Sequence, residues 1–239
     1  MKKSHIVRIA VFAALLGLVL WMIPRPSAAA PAGADNFEQR CERDMHPTIA
    51  VRTRVPDFVV NNSVSSRVLN NKATYAGVSD SMMGMTASST RAEISVDGPA
   101  LVDAAGQREC IAPRIDVEMT YRPLDVYVAR EFHPQSCSYR TVLAHEMQHV
   151  QIYMDNLPVI EQRVREALMQ RYERRPLFAA INGGLGSLQD QLNSWLPSLI
   201  RAELAKVEMQ QRALDTRDET ERLSRSCQGE IASLMGSSF

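Results

Sequence analysis

Near the middle of a 239-residue chain, two histidines four positions apart enclose a glutamate: His145, Glu146 and His149, within the segment 141–150. On a helix, positions i and i+4 lie one turn apart on the same face. Both imidazoles can therefore reach one cation, at about 2.0–2.1 Å for Zn²⁺. Glu146, beside the first histidine, is placed to take a proton from an attacking water and to pass it to a leaving amine. The metal would polarise the carbonyl under attack. The spacing thus points to metal-assisted hydrolysis, with one Zn²⁺ per chain, His145 and His149 as ligands and Glu146 as general base.

The elements around this motif predict an α+β protein. Ser138 is a plausible N-cap, and Leu143, Met147, Val150 and Met154 recur at helical spacing. Asn156-Leu157-Pro158 predicts a break or a kink, then a second helix from Pro158 to about Arg175. Long helices should cover 188–215 and 217–235. The N-terminal half reads as β-rich. Ile49–Val55 alternates, Phe58–Val60 extends it, 61–90 reads as loop, and short strands flank Asp97-Gly98. Just before the motif, Ile115, Val117, Met119 and Tyr121 form one apolar alternation and Leu124, Val126 and Val128 another. With Arg122-Pro123 between them, the two runs read as a hairpin. Expected divisions are an export segment at 1–34, a catalytic domain at 35–182 and a helical extension at 183–239.

The strand–helix order with His145-Glu146-x-x-His149 resembles the zincin metallopeptidases. More loosely, 110–157 resembles predicted secreted zinc-dependent proteases of bacteria. The resemblance implies cleavage of a peptide or protein substrate, with Val126–Glu131 as the edge strand that pairs with it. A catalytic zinc needs three protein ligands plus water, and here the sequence departs from the known patterns. Metzincin spacing would put a glycine at Ile152 and a ligand at Asp155. The gluzincin pattern puts a glutamate on a later helix, where Glu161, Glu166, Glu203 and Glu208 stand. Glu161 ranks first and Asp155 second; no histidine follows His149. Tyr153, one turn past His149, and His133, before the helix, are candidates for oxyanion stabilisation. The plainer readings are a packed tyrosine and an exposed loop histidine. Met82-Met83-x-Met85 reads as an apolar patch rather than a copper site.

The start of the chain has Lys2, Lys3 and Arg8, then an apolar run from Ile9 to Ile23, then small residues to Ala34. This is the layout of an export signal, cleaved before Asp35 or after Ala29, or left uncleaved as a membrane anchor. A periplasmic or secreted location follows. Residues 1–34 carry four basic side chains and no acid, so the rest has 23 basic and 27 acidic residues, a net charge of −4. That excess argues against nucleic acid as partner. Four cysteines in an exported chain suggest two disulfides. Cys110 and Cys137 lie 12 and 14 residues from Arg122-Pro123. A hairpin would bring them together, giving Cys110–Cys137 and, by elimination, Cys41–Cys227. Two rival readings stay open. One is a degenerate or structural zinc site without catalysis. The other is an interaction protein whose sign-alternating C-terminal helices bind a partner.

Overall fold

The computed structural model describes residues 36–54, 57–75 and 82–236, apart from the side chains of 73–75, 122 and 123. The expected export segment lies outside them, as does the step at Pro56. The element order is α1 (Phe37–Asp44), β1 (Thr48–Arg54), β2 (Phe58–Asn61), α2 (Ser66–Tyr75), β3 (Gly84–Asp97), β4 (Ala100–Val102), β5 (Arg108–Ile111) and β6 (Arg114–Val128). Then come α3 (Cys137–Tyr172), β7 (Leu177–Ala180), α4 (Gly184–Leu214), α5 (Arg217–Arg225) and α6 (Glu230–Met235). The α+β class is as the sequence predicts, with a β-rich first half and long helices after it.

β6 is the axis of the main sheet. β3 runs antiparallel along one side, while β1 and β2 pair end to end, in parallel, along the other. The expected hairpin is instead this one continuous strand. Its register against β3 slips between Ala87 and Ser89. An extra residue at such a bulge reverses which side chains face the core. Accordingly Ile115, Val117, Met119 and Tyr121 are buried before it, and Leu124, Val126 and Val128 after it. Proline, lacking an N–H, is tolerated at bulges as well as in turns. A proline between two apolar alternations of opposite parity therefore has two readings, and the structure takes the other one. β6 is also no edge; the outer edge belongs to β3, which pairs with no further strand among the described residues.

Helices α3 and α4 cover the sheet. Leu157, Ile160, Val164 and Leu168 of α3 pack with Leu188, Leu192, Leu196 and Ile200 of α4 over the apolar face of β6. The expected break at Pro158 does not occur: α3 runs through it for 36 residues. An interior proline costs about 3 kcal/mol. Burying those four α3 side chains returns about 1.5–3 kcal/mol each, so packing wins. The same holds at Pro197 inside α4. A smaller antiparallel sheet, β4-β5-β7, fixes the start of α4. There the buried Glu109 carboxylate accepts from Gly183 N–H at 3.1 Å and Gly184 N–H at 2.9 Å, an anion on a helix N-terminus. From Gln39 onward the chain is one compact unit, and α4 thus shares one core with α3 and the sheet.

The disulfides are Cys41–Cys110 and Cys137–Cys227. Both expected pairings are corrected. Without a hairpin nothing folds Cys137 back onto Cys110. Cys110 lies on β5 and meets α1, whereas Cys137 opens α3 and meets the chain after α5.

Candidate metal centre

α3 begins where the Ser136 hydroxyl accepts from Tyr139 N–H at 3.0 Å. Two turns later it presents His145 and His149, each 7% exposed. α4 lies antiparallel beside it, so its last turns meet this face of α3. His149 meets Gln211, Tyr153 meets Glu208, and Asp215, the residue ending α4, meets both histidines.

The geometry is tight. Asp215 Oδ1 lies 3.1 Å from His145 Nε2 and 2.9 Å from His149 Nε2, and the two Nε2 atoms are 3.3 Å apart. Bonds of about 2.0–2.1 Å at tetrahedral angles set ligand atoms about 3.3–3.4 Å apart, close to what is found. The other ring nitrogens are occupied. His145 Nδ1 faces Glu219 Oε1 at 3.2 Å, and His149 Nδ1 faces Gln211 Oε1 at 2.6 Å. The Gln211 amide is oriented by its own N–H₂, which donates to the His149 carbonyl at 3.1 Å, so its oxygen must accept from the ring. Both Nδ1 atoms are therefore donors, so in a neutral ring Nε2 carries the lone pair a cation would use, whereas a protonated ring donates from Nε2 to Asp215. Three lone-pair atoms converging on one point is a cation's ligand set. His145, His149 and Asp215 together could hold a metal ion. Asp215 itself is exposed, leaving a solvent side.

The electrostatics agree. Burial works against charging either ring, yet the Asp215 carboxylate and the Glu146 charge outweigh it and raise both histidines above their usual range. Burial likewise opposes ionisation of Asp215, but its bonds to the two rings bring it down to about 2. Glu219 is lowered, chiefly by Arg222, which grips it at 2.6 and 2.7 Å. Glu146, next to His145 on α3, reaches β3 and is electrostatically coupled to both histidines. It is 4% exposed, its Oε2 accepts from the Thr86 hydroxyl at 2.8 Å, and burial raises it to about 7. Gly84 makes room for it: a Cβ there would come 2.5 Å from Glu146 Oε1 and 2.8 Å from the Tyr127 carbonyl.

The residues expected as third ligand lie elsewhere. Glu161 accepts from Thr53 N–H at 3.0 Å, Thr53 Oγ1 at 2.8 Å and Arg165 at 2.6 Å, tying α3 to β1. Asp155 is on the exposed side of α3 and accepts from Gln151 at 2.7 Å. Because α3 does not break, neither can turn toward the histidines. Tyr153 is buried, donates to Glu208 at 3.3 Å, and packs edge-on against Tyr121 with centroids 5.0 Å apart. His133 is an exposed loop residue whose Nδ1 accepts from Gln135 N–H at 3.3 Å. Met83, with Met82 and Met85 against it, packs beside Leu69 and Phe132 in a second apolar cluster. Asp215 and Glu219 belong to the sign-alternating C-terminal run that reads as a solvated face, and Gln211 lies within it. One signal was present: Thr216-x-x-Glu219 is a capping-box pattern, marking Asp215 as a junction between helices. Thr216 does cap α5, accepting from Glu219 N–H at 3.2 Å.

No protein-family model, curated protein or solved structure matches the chain. Two disulfides are compatible with an oxidising compartment. Among the described residues no helix is long and apolar enough to cross a membrane.

Proposed function

We propose that this chain is a zinc-dependent hydrolase that cleaves peptide bonds in an exported compartment. What carries the reading is the convergence of His145 Nε2, His149 Nε2 and Asp215 Oδ1, with both Nδ1 atoms already engaged and Glu146 buried next to them. Two nitrogens and one oxygen suit zinc. Structural zinc sites are closed by four protein ligands, whereas catalytic ones have three; here there are three, with a solvent side at Asp215. Bound there, zinc would supply Lewis acidity toward a carbonyl.

The chain's own groups would do the rest. Glu219, itself held by Arg222, and Gln211 fix the two rings in the tautomer that leaves Nε2 free. Glu146, with its carboxyl raised to about 7, can take and return a proton near neutral pH. The Thr86 hydroxyl orients it from β3. An extended peptide could add to the outer edge of β3 through main-chain hydrogen bonds. That gives β3, rather than the interior strand β6, the substrate role.

The test is metal content of the oxidised protein purified without chelator, beside His149→Ala. About one zinc per chain, lost in the variant, is expected. Absence of zinc from wild type even after reconstitution would overturn the reading.

A further inference from the structure

The two disulfides differ in a way that bears on the metal site. Cys41 and Cys110 are both 0% exposed. Cys137 is exposed and Cys227 half-buried. A reductant therefore reaches Cys137–Cys227 first, and exposed disulfides are the labile ones. The same bond closes a loop of 90 residues that contains every ligand and ligand partner of the centre: His145, His149, Gln211, Asp215 and Glu219.

Its placement is also direct. Thr141 lies one turn before His145 on α3, and its hydroxyl is 3.5 Å from Cys227 Sγ. The returning chain thus lies along one stripe of α3, with Cys227 at Cys137 and Thr141, Glu219 at His145, and Asp215 at His145 and His149. The backbone is strained at the far end of this strap. Cys227 and Gln228 have φ of 56° and 60°, a region side-chain-bearing residues avoid. Leu223 and Ile231 stay packed in the apolar cluster with Val142, so the fold would survive while Asp215 and Glu219 gain freedom.

We propose that Cys137–Cys227 is a thiol-reducible clasp that sets how tightly the centre holds its metal, an inference that rests on the metal-site reading. A dithiol would break the S–S bond by thiolate attack, deliver two electrons and two protons to leave two cysteine thiols, and depart as a cyclic disulfide. Loosening a ligand and a ring partner together should weaken metal binding by tenfold or more.

The experiment uses the full oxidised chain. Limited treatment with dithiothreitol, alkylation and peptide mapping should label Cys137 and Cys227 before Cys41 and Cys110. After removal of the reductant, Zn²⁺ affinity by chelator competition should be at least tenfold weaker than in the untreated protein. The pair Cys137→Ser with Cys227→Ser should match, with circular dichroism unchanged. Labelling of Cys41 and Cys110 first, or affinity within threefold of wild type in the alkylated protein, would overturn the clasp alone. A wild type that binds no Zn²⁺ would overturn the metal reading and the clasp with it.

Discussion

Replacing Asp215 by alanine should separate metal binding from folding. Its carboxylate spans both histidines at 2.9 and 3.1 Å, so truncation removes one of three ligand atoms. Loss of a residue that merely orients a ligand costs about 10–100-fold in metal affinity, and loss of the ligand itself should exceed that, at about a hundredfold or more. The side chain is 55% exposed, but it is bonded to both rings, so some stability of the metal-free protein goes with it. Glu161→Ala is the mirror experiment. It strips partners from Thr53 N–H, Thr53 Oγ1 and Arg165, at about 1–3 kcal/mol for a partly buried donor left unpaired, and touches no histidine. Chelator competition and thermal denaturation would be run on both. Asp215→Ala should lose zinc, and with it the zinc-dependent rise in melting temperature; Glu161→Ala should keep zinc but melt lower than wild type when both are metal-free. Zinc affinity within threefold of wild type in Asp215→Ala, or loss of zinc in Glu161→Ala, would refute the assignment.

Gly84→Ala should leave zinc affinity within about threefold but displace Glu146, because its Cβ meets both that carboxylate and the rigid Tyr127 carbonyl; a melting curve should report about 1–3 kcal/mol of strain. Without metal, the site binds protons more avidly folded than unfolded: both histidines are raised, and Glu146 moves from 4.5 to about 7. Their effect on stability is therefore most favourable at low pH: the Glu146 contribution declines as pH rises from about 4.5 through 7, by about 3 kcal/mol, and the histidine contribution declines as pH rises above 6.5. Melting temperatures of the metal-free protein at pH 5 and 8 would check the sign, and zinc affinity should move oppositely, falling as the histidines take up protons. Leu192→Ala, at a fully buried position between α4 and the sheet, should cost about 2–5 kcal/mol in denaturant unfolding.

The His-Glu-x-x-His half of the site is legible in the sequence because it is local. His145, Glu146 and His149 need only a helix, and α3 supplies one. The other half depends on where α4 ends after passing back along α3. Whether an acid in a run of alternating charges faces water or a histidine is decided by that packing, so Asp215 and Glu219 looked like any solvated pair. β6 is one strand rather than two for a related reason. The alternation along β6 is plain, but its change of parity at Arg122-Pro123 suits a bulge as well as a turn, and only the pairing with β3 decides. With a bulge in place of a turn, Cys110 and Cys137 end up apart and each takes another partner. At Pro158 a local rule lost to about four buried side chains on the same helix.

The most direct test of the central claim is hydrolysis of a peptide library by the zinc-loaded protein, with Glu146→Gln alongside. The glutamine keeps the shape of the side chain and leaves His145, His149 and Asp215 in place. Wild type should cleave, while Glu146→Gln should hold a full complement of zinc and lose at least about a hundredfold in rate. Equal cleavage by both proteins, or none by a wild type that holds its zinc, would contradict the account.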